Sequence, residues 1–244
     1  MSVYSHLLEM KKRGEKGLFV LIDPDKEDAK SIGRRALQAQ TNGAAAIFIG
    51  GSRMGNNDFG EAVREVKSAV KIPVIIFPGG SDQLSGHADA ILFMSLISGR
   101  NPKYLIGEHV TAAPVVKKLG LEPIPAAYML IESGKSTAVE IVSNTKPIPR
   151  DDVKSAARHA MAAEMLGMKL IYLEAGSGAL KPVPAEMIAA ARESVEIPLI
   201  VGGGIKSPAQ AKEALDAGAD FIVVGNALEE ENDGNLLKKI AAVI

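Results

Sequence analysis

Ile197-Pro-Leu-Ile-Val-Gly-Gly-Gly-Ile-Lys-Ser-Pro208, followed by Gly218-Ala-Asp-Phe-Ile-Val-Val-Gly-Asn226, is the stretch that decides the fold. Each block carries a short aliphatic run that ends on glycine. The segment between them, 208–217, has the alanine and charge content of a helix. Ser207 before Pro208 marks where that helix starts, because serine caps a first turn and proline fits where no N–H is needed. A strand, a glycine turn, a helix and a second strand form a parallel unit, since a parallel neighbour is reached only by a crossover.

The same alternation runs through the chain. Strands are expected at 18–23, 45–50, 73–77, 90–94, 122–126, 170–174, 199–202 and 221–225. Helices are expected at 26–41, 59–70, 102–119, 151–166, 185–194, 208–217 and 228–244, with 81–87 only a short turn of helix and Asp151 a candidate cap. Near-continuous apolar strands suit a sheet covered on both faces, and eight of them suit closure. The expected fold class is therefore α/β, a (β/α)8 TIM barrel of the phosphate-binding type, with residues 1–244 as one domain. Two resemblances suggest related halves: Gly43-Ala-Ala-Ala-Ile-Phe-Ile-Gly-Gly with the Gly218 block, and Ile72-Pro-Val-Ile-Ile-Phe-Pro-Gly-Gly with the Ile197 block. Residues 131–150 are too long for an ordinary connection and read as an excursion over the active face able to act as a lid, or as a plain surface insertion.

Composition narrows the function. With 28 basic and 29 acidic residues among 244, the chain has no basic excess for nucleic acid. Cysteine is absent, which excludes disulfides, thiolate zinc sites and cysteine nucleophiles. No apolar run approaches the roughly 18 residues of a membrane span, and the start is too polar for a secretory signal, so a cytoplasmic protein with at most transient membrane contact is expected. His6, His87, His109 and His159 fall in no ligand-like spacing and read as ordinary.

In such barrels the loops after the strands build the active site. Glycines gather there: Gly176-Ser-Gly178 after strand six, Gly202-Gly-Gly204 after strand seven and Gly225-Asn226 after strand eight. Glycine turns leading into helices present bare N–H groups to a phosphate, although the same glycines could merely turn the chain. Asp23 ends strand one and can hold magnesium, a hard cation that takes oxygen ligands; alternatively it caps the next helix, a role open to Asp25 as well. Ser52 offers a hydroxyl to the same metal or a diphosphate, or is a plain turn residue. Glu174, closing the apolar run Leu170-Ile-Tyr-Leu, is either a buried base or a rim charge paired with lysine. Strand alternation puts Tyr172 on the same face as Glu174.

Taken in order, Leu21-Ile-Asp-Pro-Asp-Lys26, Gly50-Gly-Ser52, Tyr172-Leu-Glu-Ala-Gly-Ser-Gly178, Val201-Gly-Gly-Gly-Ile205 and Val224-Gly-Asn226 resemble the geranylgeranylglyceryl phosphate synthase family and its bacterial heptaprenylglyceryl relatives, over essentially the whole chain. The resemblance implies transfer of a prenyl group, with C20 expected, from a polyprenyl diphosphate to the C3 hydroxyl of sn-glycerol 1-phosphate. It implies Mg2+ on Asp23 and Ser52. It implies acceptor binding by Tyr172, Leu173, Glu174, Ala175, Gly176, Ser177, Gly178, Gly203, Gly204, Gly225 and Asn226. Glu174 is the implied base, with Tyr172 beside it, and a homo-oligomer is expected. Phe77-Pro-Gly-Gly80, Phe93-Met-Ser-Leu96 and 126–131 are candidate walls for the prenyl chain. Two features depart from or distinguish branches of the family. Leu21 stands where one branch has a lysine, which leaves the phosphate to Lys206 or to the backbone, and Tyr104 occupies an aromatic position read as a subunit anchor or a buried residue. The rival readings are a sugar-phosphate isomerase or lyase, an FMN oxidoreductase and a non-catalytic phosphate-binding protein.

Overall fold

A strand buried on both faces needs an apolar residue at nearly every position, and the eight apolar runs meet that demand. They form β1 (Gly17–Ile22), β2 (Ala44–Ile49), β3 (Val74–Ile76), β4 (Ala90–Leu96), β5 (Glu122–Leu130), β6 (Leu170–Glu174), β7 (Leu199–Gly202) and β8 (Phe221–Val224). The computed structural model describes residues 2–26, 29–51, 58–225 and 235–244. Neighbouring strands pair in parallel in chain order, and β8 returns to β1 with Phe221 opposite Gly17, so the barrel closes. This is the expected TIM barrel.

The helices are α1 (Val3–Lys12), α2 (Ala29–Thr41), α3 (Phe59–Ala69), α4 (Glu108–Leu119), α5 (Ala138–Ser143), α6 (Val153–Met165), α7 (Ala185–Ser194), α8 (Pro208–Asp216) and α9 (Asn235–Ala241). A π-helical turn, Lys103–Gly107, leads into α4. The cap reading holds at Ser207, whose hydroxyl accepts from the Gln210 N–H at 3.2 Å. It fails at Asp151: α6 begins two residues later than expected, and Asp152 takes the Ser155 N–H at 3.0 Å. Parts of the expected first and last helices, at 27–28 and 228–234, lie outside the described residues. Residues 81–87 form turns and no helix. No helix among the described residues is long and apolar enough to cross a membrane.

Strand length is set by the neighbour. β5 continues past the expected end at 126 because Tyr128 pairs with Tyr172 and Leu130 with Glu174 on β6. Inside the barrel, Phe19 stacks on Phe221 with ring centroids 4.8 Å apart and meets Phe48 edge-on at 5.2 Å. α1, which the sequence reading lacks, buries Val3, Leu7 and Met10 in the same cluster and plugs the end of the barrel where the strands begin. The Glu122 carboxylate fastens it, accepting the N–H groups of Val3 at 2.6 Å and Tyr4 at 3.0 Å, where a helix N-terminus favours negative charge.

The halves are related, but not as the paired blocks suggested. Ile72 and Ile197 lead into β3 and β7, half a barrel apart, whereas Gly43 and Gly218 lead into β2 and β8. The counterpart of Asp220 is Asp89. Asp220 accepts from the Leu199 N–H and from Arg192, each at 2.9 Å. Asp89 accepts from the Val74 N–H at 2.8 Å and from Lys67 at 2.6 Å. In each half an aspartate before one strand staples the start of the preceding strand to a cation on a helix.

Candidate active site

The ends of the strands open into one cleft of about 260 Å3. Asp23, Gly51, Glu174, Gly178, Gly204 and Gly225 line its polar end. An apolar arm leads away past Phe77, Leu84, Phe93, Met94, Ala112 and Val142. The arm exists because turns stand between β3 and β4 where a helix would otherwise cover Ile91 and Phe93. Of the expected trough walls, Phe77 to Gly80 and Phe93, Met94 and Leu96 line the cleft. Ser95 instead donates its hydroxyl to the Leu105 carbonyl at 2.7 Å, and from 126–131 only Tyr128 reaches the cleft because the other side chains pack in the core.

Residues 131–150 lie over this arm, with Val139, Val142 and Ser143 lining it. Ile131 bridges to Ile148, and α5 lies between them. The Tyr104 hydroxyl donates to the Val142 carbonyl at 3.1 Å and the Asn101 amide to the Ser143 carbonyl at 3.0 Å, so the π-helical turn and the excursion close over the cleft together. Tyr104 is thus engaged within its own chain, and its ring lines the cleft.

Glu174 sits on the inward face of β6 and is buried. The Gly176 N–H donates to its Oε1 at 2.5 Å. Burial pushes its carboxyl up to about 7, against the opposing pull of the Gly176 N–H and the nearby Tyr172 hydroxyl. The rim-charge alternative does not apply, since no lysine pairs with it among the described residues. Tyr172 shares its face, as alternation requires. Its hydroxyl has no hydrogen-bond partner and lies outside bonding geometry with Glu174. Burial first, then the Glu174 charge, raises the phenol well above its usual range. Tyr128 stacks on Tyr172 with ring centroids 5.4 Å apart, and Phe77 packs on both at 6.0 and 5.3 Å. These rings give Glu174 an apolar wall with few dipoles to solvate a charge.

The glycines keep this carboxylate accessible. Gly203 has φ +78°, and a Cβ there would collide with Glu174 Oε1, so only glycine leaves room. Asp23 faces Gly51, where a Cβ would come within 2.7 Å of Asp23 Oδ1. Asp23 and Glu174 therefore open on the same mouth of the barrel, with Gly176, Ser177, Gly178, Gly203, Gly204 and Gly225 beside them. The side chains of Leu173 and Ala175 turn away from the cleft. They point into the layer between barrel and helices, and the Ala175 N–H is spent on the Gly202 carbonyl at 3.0 Å. Ser52 and Asn226 lie outside the described residues.

The profile of the PcrB family matches residues 10–244. The chain belongs to the PcrB family. Among the family's named relatives, geranylgeranylglyceryl phosphate synthase of Flavobacterium johnsoniae is 48% identical over 231 residues, covering 95% of either chain. The synthase of Thermococcus gammatolerans is 47% identical over 221 residues, covering 90% of this chain and 87% of the relative. The crystal structure of (S)-3-O-geranylgeranylglyceryl phosphate synthase from Thermoplasma acidophilum, in complex with its substrate sn-glycerol-1-phosphate, superposes with a TM-score of 0.95 at 37% identity, covering 100% of this chain and 98% of that one.

Within this PcrB-family cleft the sequence reading missed two side chains. Tyr128, already among the expected trough walls, belongs to β5, which runs past its expected end. Glu108 lines the cleft and takes the Ser81 N–H at 2.7 Å and Lys103 at 3.4 Å. His109, read as ordinary, lines the apolar arm edge-on to Phe93 at 4.5 Å, with its Nδ1 buried and unbonded. Helical spacing alone carries no signal that this face meets the cleft.

Proposed function

We propose that the chain is a geranylgeranylglyceryl phosphate synthase, a prenyltransferase joining a polyprenyl diphosphate to the C3 oxygen of sn-glycerol 1-phosphate. The observation that carries this reading is a buried carboxylate poised near pH 7 at the junction of a glycine-turn anion site and an apolar arm. An isomerase or lyase needs no such arm, and pure phosphate binding needs no poised base.

The glycine turns after β6, β7 and β8 hold the acceptor's phosphate through backbone N–H groups and so fix its hydroxyl near Glu174. As the allylic C–O bond to diphosphate breaks, the acceptor oxygen bonds to the allylic carbon, and its proton passes to Glu174. Phe77, Tyr128 and Tyr172 form an aromatic wall of the cleft, and aromatic quadrupoles favour developing positive charge. The prenyl tail occupies the apolar arm, and a C20 chain is the expected donor.

Asp23 lines the polar end of the cleft and offers the charged oxygen donor that magnesium takes, with substrate phosphates as further ligands. Asp23 would hold it, with Ser52 alongside, and it would neutralise the departing diphosphate. The same reading includes a homo-oligomer acting in the cytoplasm on donors drawn from the membrane.

Purified protein with radiolabelled sn-glycerol 1-phosphate and prenyl diphosphates of several lengths is expected to yield a lipid-extractable product, most with the C20 donor. No product at any length removes the proposal. Asp23→Asn should raise the magnesium concentration for half-maximal rate by about tenfold or more, since a charged oxygen ligand becomes neutral. An unchanged requirement assigns the metal elsewhere.

A further inference from the structure

The excursion does more than roof the apolar arm. Residues 133–137 run antiparallel across 176–181, and their contacts shift by one residue between Gly134 and Lys135. The Lys181 N–H donates to the Ser133 carbonyl at 3.2 Å. Gly134 sits against Leu180, with a Cβ there 3.8 Å from the leucine Cβ. The Lys135 ammonium stands 3.4 Å from the position a Cβ would take on Gly178, and the Thr137 methyl fills the corresponding place on Gly176. Arg150 fastens the base of the strap, donating to the Glu132 carbonyl at 3.0 Å and the Pro182 carbonyl at 2.8 Å.

This crossing sets the Lys135 ammonium beside Gly178, which lines the cleft, on an exposed side chain that is not itself among the lining residues. Among the described residues it has no ion pair or hydrogen bond, so its charge is not spent on another side chain. The competing cations are placed differently. Lys26 pairs with Asp23 at 3.9 Å, and both Arg150 bonds go to carbonyls. Lys206 lines the cleft from the turn into α8, and β1 offers only Leu21. A phosphate dianion among backbone N–H groups keeps net negative charge, and a lysine acts on it as a compact point charge without needing a fixed fork geometry.

We infer that Lys135, carried by the strap 133–137, is a phosphate-binding residue of the acceptor subsite and sets its preference for a phosphorylated acceptor. The inference rests on the glycerol phosphate reading above for its ligand.

Calorimetric titration of the full-length protein with sn-glycerol 1-phosphate, at low and high salt, needs no turnover and separates the two ideas. Lys135→Ala is expected to weaken binding about tenfold or more and to flatten the salt dependence, while Lys135→Arg restores most of both. In steady state, the acceptor KM should rise by the same factor, with kcat and the donor KM within about threefold. Lys206→Ala should cost less. Equal affinity for wild type and Lys135→Ala, or a larger loss in Lys206→Ala, overturns the inference and leaves the synthase reading standing. Absence of binding by the wild type removes both.

Discussion

At Glu174 a single side chain carries opposite demands of stability and chemistry. Its carboxyl titrates near 7 in the fold, against a normal value of 4.5. The folded state therefore binds the proton more tightly than the unfolded chain. Stability falls as pH rises from about 4.5 to about 7, and the loss persists above that. Glu174→Gln keeps an oxygen for the Gly176 N–H and removes the buried charge. Denaturant unfolding should show the variant gaining on wild type by up to about 3 kcal/mol at pH 8 and little at pH 4. Its turnover should fall by about 10²- to 10⁴-fold, as for loss of a general base, while acceptor binding persists. In the wild type, kcat/KM should decline below pH 7 with unit slope as the base is protonated. A flat profile down to pH 5, or near-normal turnover in Glu174→Gln, assigns the base elsewhere.

At the scale of elements, the site depends on a strap meeting a turn. Gly176 has φ +99°, and a Cβ there would overlap the Thr137 side chain at the N-terminus of α5. Thr137 is itself held by Glu140, whose carboxylate accepts from its N–H at 3.0 Å and its hydroxyl at 3.2 Å. Gly176→Ala should therefore strain the turn and lift the excursion at once. The expected cost is about 1–3 kcal/mol, as for side chains forced into the left-handed region. Hydrogen exchange should show faster amide exchange across 133–143, with β6 unchanged. Unaltered exchange in the excursion means that the contact does not hold it in place.

Across the whole molecule, the reactive face is kept apart from the face that holds the barrel shut. The Asp220 and Arg192 pair sits where β7 and β8 begin, and both side chains are largely buried. Asp220→Ala leaves the Arg192 charge without its partner and the Leu199 N–H without its acceptor. Breaking one member of such a buried pair costs about 3–5 kcal/mol, on the order of 10 °C in Tm for a chain of this size. The mutated residue lies at the far end of the strands from the cleft, so KM for both substrates should stay within about twofold while thermal unfolding moves down. A shifted KM with unchanged Tm contradicts this division of labour.

The strand count, the barrel class and the pairing of Tyr172 with Glu174 were legible in the residues. Period-two alternation and glycine at strand ends are local rules that each segment obeys without knowledge of its neighbours. Burial of Glu174 was open in the sequence, because a carboxylate closing an apolar run can stand at a rim or in a pocket. The pairing of β5 with β6 decided it by setting Tyr128 against Tyr172. The plug made by α1, the outward turn of Leu173 and Ala175, the uncovered face of β4 and the crossing that sets Lys135 beside Gly178 are likewise tertiary facts. Each joins segments far apart along the chain, and which side chains meet there depends on how the elements pack.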